Sequence, residues 1–373
     1  MARICFVNHD NYPVLNADYG GNYIGGESVQ QVLIARALAR RGHEVSTLVA
    51  DLGQPDGEVI DGITVWKTFK PNSGLPVLRF LHPKLTSILA ALRRADADIY
   101  YQSCAGMTTG VVAWHARRNN RKFVFRVAHD SDCVRGQQLI KYARDRRLYE
   151  YGLARADIIA AQSTKQATLL EQNYGLGSVE VPMAVEPPSD QQTTRDIDVL
   201  WVNNLRAFKR PEVFLELAAA LPELRMVMIG GPCPGDEPYY ESIRRDAAAL
   251  PNLTMTGFVP YHKVNDYYSR ARIFVNTSDI EGFPNSYLQA WIRGTPVVAF
   301  FDPDGLIERR NLGLRVGSLE EMAAAVTRLV NDAGSWGVLS AGSRAYAMAE
   351  HHPERIAERY ERLFESRLGI KEP

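Results

Sequence analysis

The sequence predicts an α/β protein of two domains, each a doubly wound parallel sheet. Three observations carry that prediction. Short apolar runs alternate with amphipathic helical segments along nearly the whole chain, the pattern of parallel sheets with crossover helices. A polar, proline-bearing stretch over residues 181–195 separates two such series. The length, 373 residues, exceeds what one hydrophobic core usually serves.

In the first series, residues 4–7 read as a buried strand followed by a Gly-rich loop. A helix over 27–41 comes next, with Val29, Val32, Leu33 and Ala37 on its apolar face and Gly42 closing it. Strands follow at 45–49, 99–102, 123–127 and 158–161. Pro182, Pro187, Pro188 and the polar run after them read as an exposed linker. This sets an N-terminal domain over 1–187 and a C-terminal domain over 188–352. The second series gives strand 199–202, helix 211–220, strand 226–229, strand 273–276, helix 286–293, strand 296–300 and helix 320–331. A last charged helix, 353–368, carries Ile356, Tyr360, Leu363 and Phe364 on one face. Neither a solenoid repeat nor a low-complexity tract interrupts the pattern. Open α/β sheets bind ligands beyond the carboxyl ends of their strands, so two such domains are expected to face each other across a ligand cleft.

Composition narrows the function. Hydrophobic residues make up 46% and charged residues 23%, an ordinary globular profile. Lys plus Arg and Asp plus Glu both total 43, so no net charge argues for nucleic acid. Divided at Pro187, the halves carry +4 and −4. A normally solvated surface accounts for that split; the sharper reading is a basic N-terminal face that meets an anionic acceptor or a membrane. Residues 76–94, with Val77, Leu78, Phe80, Leu81 and Leu85 interspersed with Arg79 and Lys84, are the segment suited to such contact. Core-facing helix is the plainer reading of the same residues. Cys5, Cys104, Cys133 and Cys233 form no C-x-x-C pair and no zinc spacing, which fits a reducing compartment. The N-terminus lacks a signal-peptide pattern, and no segment reaches about 18 consecutive apolar residues. A cytoplasmic protein, at most peripherally attached to a membrane, is expected.

The most informative motif is Ser278-Asp-Ile-Glu-Gly-Phe-Pro-Asn-Ser-Tyr-Leu-Gln289. It follows a strand and opens a helix, and a helix start offers free backbone N–H groups and a dipole to an anion. Glu281, Gly282, Phe283, Pro284 and Asn285 lie at that start, with Pro284 suited to the first turn, and Gln289 lies one turn on. An acidic cap on an ordinary helix is the bland alternative. Trp201-Val-Asn-Asn-Leu-Arg-Ala-Phe-Lys-Arg-Pro211 is again strand, loop, helix. Arg206 and Lys209 there would neutralise a diphosphate, Arg as a fork and Lys as a point charge. A solvated basic loop is the alternative. Tyr19-Gly-Gly-Asn-Tyr-Ile-Gly-Gly-Glu-Ser28 is Gly-rich before the first helix, yet it is neither a dinucleotide fingerprint nor a P-loop. His129 is expected at a strand end. Asp130-Ser-Asp132 has a metal-binding look, but Asp96-Ala-Asp98 shows that such triplets arise by chance, and nothing nearby adds ligands. Thr256-Gly-Phe-Val-Pro-Tyr261 would turn from a strand into a helix and could offer backbone groups to a base.

Together these residues resemble the retaining glycosyltransferases of family 4, with the GT-B fold. The likeness spans nearly the whole chain: the Gly-Gly loop with Arg41-Gly-His-Glu-Val45, His129, Arg206 with Lys209-Arg-Pro211, Ile229-Gly-Gly-Pro232, Gly257-Phe-Val259 and Glu281-Gly-Phe-Pro284. The resemblance implies that Gly25 and Gly26 approach the donor phosphate and His129 contacts the transferred sugar. It also implies that Arg206 and Lys209 hold the diphosphate, the turn from Gly257 to Val259 holds the base, and Glu281 binds sugar hydroxyls. Gln289 stands where the family has a second Glu that contacts the ribose; an amide still accepts a hydroxyl but carries no charge. The family's last helix crosses back to the N-terminal domain, a part that 353–373 could supply. The resemblance implies a nucleotide diphosphate sugar as co-substrate, a glycan, lipid-linked or small-molecule acceptor, net retention, and no metal or cofactor. Two rivals remain at this point: a nucleotide-sugar epimerase of the same fold, which would need an acid–base pair not evident here, and a non-catalytic nucleotide-sugar-binding protein, favoured by Gln289.

Overall fold

The computed structural model describes all residues except 17, 20–24, 76–77, 189–193, 234, 280 and 371–373. Part of the Gly-rich loop and residues 189–193 of the polar linker therefore lie outside the described residues. The chain forms two compact units. One runs to Ala184 and takes in the stretch from Pro353 onward; the other is Val185–His352.

The first unit is built on an eight-stranded sheet: β1 (Arg3–Val7), β2 (Glu44–Val49), β3 (Glu58–Ile60), β4 (Ile63–Lys67), β5 (Ile99–Ser103), β6 (Lys122–Arg126), β7 (Ile158–Ala161) and β8 (Val179–Glu180). Their spatial order is β3-β4-β2-β1-β5-β6-β7-β8, parallel except for the β3–β4 pair. Central strands are buried on both faces, which is why they read as continuous apolar runs. The helix Gly26–Arg40 buries Val29, Val32, Leu33 and Ala37, and Gly42 at φ 90° turns the chain into β2.

The second unit holds a six-stranded parallel sheet: β9 (Ile197–Val202), β10 (Met226–Ile229), β11 (Leu253–Gly257), β12 (Ala271–Asn276), β13 (Val297–Ala299) and β14 (Gly313–Arg315). The order is β11-β10-β9-β12-β13-β14. The chain winds outward from β9 to β11 and then returns beside β9 to form β12, so the order reverses between β9 and β12. Ligands of such sheets bind at that reversal. Trp201, Phe214, Met228, Ile273 and Val326 lie in its core.

Several elements differ from the sequence expectation by a residue or two at their ends, as at β6, which ends at Arg126, and β9, which starts at Ile197. β13 stops at Ala299, and the helix expected from Ser286 begins at Asn285. The additions to that expectation include the β3–β4 hairpin and the helix Ala333–Glu350, which carry no strong apolar signal, the helix burying only Ser343 and Ala347.

The helix Pro353–Leu368 belongs to the first unit and packs against Gly26–Arg40. Ile356, Tyr360 and Phe364 are buried as its spacing predicts, and so, unexpectedly, is Glu361. Arg41 donates to both Glu361 oxygens at 2.9 Å, and His43 Nε2 lies 3.1 Å from Oε1. His43 Nδ1 accepts from the Ala2 amide, so Nε2 carries the proton and donates to Glu361. On the neighbouring residue, the Tyr360 hydroxyl accepts from the buried Arg126 guanidinium at 3.0 Å and lies 2.9 Å from the Tyr101 hydroxyl. The Arg-Gly-His run between helix and strand is thus a clamp on the final helix.

Candidate active site

In the second unit, four neighbouring strands end in loops that bind one another. After β9, the backbone N–H of Leu205 donates to Gly231 in the β10 loop, and Gly230 N–H donates to Gly257 at the end of β11. A Cβ at Gly230 would overlap the Asn203 carbonyl, so only glycine lets these two loops close. After β12, Thr277 places its hydroxyl 2.7 Å from the Lys209 carbonyl oxygen and 2.9 Å from that of Arg210. The buried Trp201 indole donates to the same hydroxyl. The β9 and β12 loops are thereby fixed as one surface at the strand-order reversal.

That surface brings Lys209 and Glu281 together. Lys209 Nζ lies 2.6 Å from Glu281 Oε1, with the two side chains only 13% and 11% exposed. Asn276 Nδ2 donates to the same oxygen at 3.4 Å. The alternative reading of a solvated basic loop does not fit Lys209, which is largely enclosed; Arg206 precedes a single turn of 3-10 helix, Ala207–Lys209. Arg206 donates through Nε to Cys233 Sγ at 3.2 Å, a thiol buried in the β10 loop. The adjacent Arg210 turns away, paired with the exposed Asp279 at 2.9 Å.

Gly282 and Phe283 link Glu281 to the helix Asn285–Ile292. Pro284 is the residue just before that helix and not in its first turn, because its ψ of 119° is extended. It still supplies no N–H where none is needed. Asn285 opens the helix. Gln289 is buried on it and donates to Asn265 Oδ1 at 3.0 Å, so this amide has a defined partner from the helix Tyr261–Arg270. Gly257 has φ 74°, and a Cβ there would also press on the Tyr240 hydroxyl. Val259, two residues on, is half-buried in the turn that leads into Tyr261–Arg270.

The remaining candidates lie on the first unit. Gly25 caps the helix Gly26–Arg40 in extended geometry, and a Cβ there would meet the Ser28 hydroxyl at an ordinary 3.9 Å. Gly20 to Ile24, the rest of that loop, lie outside the described residues. His129 is not at a strand end. β6 stops at Arg126, and His129 instead caps the turn Asp130–Cys133, its Nδ1 accepting from the Ser131 amide at 3.1 Å. Asp132 reaches back to the amides of Ala128 and His129, and burial pushes its carboxyl up to about 7 despite those bonds. Asp130 pairs with Lys165 at 2.7 Å and accepts from Gln166. Both aspartates therefore have structural partners, which accounts for the D-x-D triplet. Gln162, absent from the sequence reading, ties the His129 segment to the first helix by donating to Glu27 at 2.7 Å and to the Val127 carbonyl at 2.9 Å. A lone Gln after a strand gives no sequence signal. The same holds for Cys233, Asn276 and Thr277.

Comparison with known proteins agrees with this architecture. Residues 25–185 match the family described as "Glycosyl transferase 4-like domain", and residues 196–332 match "Glycosyl transferases group 1". The D-inositol 3-phosphate glycosyltransferase of Mycolicibacterium smegmatis is 24% identical, over 95% of this chain and 94% of that protein. Among solved structures, the sucrose-phosphate synthase of Thermosynechococcus elongatus superposes with a TM-score of 0.78 at 18% identity, covering 99% of this chain and 100% of the other. Anabaena HepE in complex with UDP-glucose gives 0.74 at 16% identity, covering 98% and 100%. These likenesses show the GT-B fold. The chain belongs to the group 1 glycosyltransferases and is a transferase enzyme.

Proposed function

We propose that this chain transfers a sugar from a nucleoside diphosphate donor to an acceptor hydroxyl, with retention of anomeric configuration and without a metal ion. The observation that carries the reading is the enclosed Lys209–Glu281 pair beside Arg206, at the strand-order reversal of the second unit. A lysine held by one carboxylate keeps two further N–H groups for a diphosphate oxygen. Glu281, held by Lys209 and Asn276, is oriented to accept from sugar hydroxyls. The structural relative solved with UDP-glucose supports a nucleotide sugar as donor.

In the proposed step, the bond between the anomeric carbon and the β-phosphate oxygen breaks, and the diphosphate leaves with the electron pair. The acceptor oxygen bonds to the same face of the sugar, and its proton passes to the departing phosphate. Negative charge grows on that phosphate as the bond breaks, so fixed cations stabilise the transition state more than the bound donor. Arg206 and Lys209 take the place that a metal ion would have. Gly257 and Val259 would hold the base, Gln289 the ribose, Gly25 and Gly26 the donor phosphate, and His129 the transferred sugar. The four cysteines are unpaired, which supports a cytoplasmic setting. Among the described residues, no helix is long and apolar enough to cross a membrane. Family membership supports a role in building a polysaccharide or glycoconjugate.

Incubation with nucleotide sugars and a panel of acceptors tests this. Nucleoside diphosphate release should depend on the acceptor, survive exhaustive chelation, and give a product whose anomeric configuration by NMR matches the donor. Inversion, or activity lost to chelation and restored by magnesium or manganese, contradicts it.

A further inference from the structure

Two adjoining cavities open in the first unit, of about 390 and 430 Å³. They share Met107, Tyr142 and Asp145, so they are the two ends of one groove. The inner end lies beyond the carboxyl ends of β1 and β5, where Asn8, His9 and Ser103 line it. Burial, reinforced by the charge of Lys84, lowers the His9 imidazole to about 4, so this ring is neutral at physiological pH. Its Nδ1 lies 3.2 Å from the Thr68 hydroxyl and its ring packs on Phe69.

The outer end has a different character. Arg79, Lys84 and Arg144 line it beside Phe80 and Tyr142, and Asp145 is its one carboxylate. Asp145 is already engaged by Arg144 Nε at 2.8 Å, while the Arg144 guanidinium lies 3.4 Å from the Phe80 ring centroid. Among the described residues, no carboxylate lies within ion-pair distance of Arg79 or Lys84. Lys84 instead sits 5.3 Å from the Phe69 ring. Three cations against one acid leave this end with about two uncompensated positive charges. A phosphate monoester carries about −1.5 to −2 at neutral pH, with three strong acceptor oxygens.

We propose that the groove binds the acceptor, and that this acceptor bears a phosphate group seated among Arg79, Lys84 and Arg144, with the reacting end toward His9. The proposal rests on the transferase reading above. It assigns Arg79 and Lys84 to acceptor recognition, apart from the cations of the donor site. Exposed Leu75, Leu78 and Leu81 adjoin these cations in sequence, so the phosphate belongs either to a soluble molecule or to a lipid at a membrane surface.

The test uses inorganic phosphate as probe, on protein first saturated with UDP so that the donor site is filled. UDP binding by calorimetry is the control for the donor reading; its absence, and that of ADP and GDP binding, would count against that reading alone. Phosphate should then bind saturably, seen as broadening of its phosphorus NMR line. The double variant Arg79→Gln, Lys84→Gln should weaken it about tenfold or more while leaving nucleotide binding unchanged, and Lys84→Arg should retain it. Vesicles of phosphatidylcholine with and without phosphatidic acid separate the sources. Selective binding to the acidic vesicles, lost in the double variant, assigns the phosphate to a lipid; no vesicle binding assigns it to a soluble acceptor. Absent phosphate binding, or equal binding by wild type and double variant, overturns the proposal.

Discussion

Lys209 shows how far a single residue can be read from sequence. Its position in a strand–loop–helix segment pointed to an anion, but its enclosure and its bond to Glu281 were not legible. That bond joins residues 72 positions apart, through loops that only the β9–β12 adjacency brings together. Gln289 is similar. Its place in the motif was plain, whereas its partner Asn265 comes from a separate helix. Enclosure changes what a substitution does. An exposed loop cation contributes under about 1 kcal/mol, but Lys209→Met leaves a poorly solvated Glu281 carboxylate without its main partner. Such a loss costs about 1–3 kcal/mol. Adding Glu281→Gln should recover most of it, because the neutral amide no longer needs the cation. Chemical denaturation of the single and double variants checks this. Equal loss in both would show that the pair does not couple.

At the scale of elements, the buried strands were legible to within a residue or two because both faces of a central parallel strand are apolar. The β3–β4 hairpin was not, since its short strands mix charged and apolar residues at a sheet edge. The helix Ala333–Glu350 escaped because small residues dominate it and it buries little. The final helix was legible as a helix, but its clamp was not. Burial pushes the Glu361 carboxyl up, yet the hydrogen bonds from Arg41 and His43 and the charge of Arg41 outweigh burial and hold it below the ordinary range. A carboxylate depressed in the folded state contributes stability that is complete above its unfolded value, near 4.5, and is lost as pH falls through the folded value. Glu361→Gln should therefore lower the stability of the first unit by about 1–3 kcal/mol near pH 7. The difference from wild type should vanish under strong acid. Urea midpoints across that range provide the measurement, and a pH-independent difference would remove Glu361 from the acid response.

For the whole molecule, the two-unit α/β reading came from alternation and a linker, and the transferase class from motifs at strand ends. Both agree with the family matches along the chain. Of the proposed acceptor groove, the sequence singled out only the basic segment near residue 80, because the groove is assembled from that segment and others near residues 8, 104 and 142. The other three carry no motif of their own. In the proposed donor site, Arg206 and Lys209 stabilise the departing diphosphate while Arg210, one residue on, serves only the loop. Removing one preorganised electrostatic group typically costs about 10²–10³ in kcat. The direct measurement is kcat/KM for sugar transfer by Arg206→Ala, Lys209→Ala and Arg210→Ala, each confirmed folded by circular dichroism. The first two should fall by about 10²–10³, and Arg210→Ala should stay near wild type. Near-normal transfer by Arg206→Ala or Lys209→Ala, or an equal fall in all three, would show that these cations do not hold the leaving group.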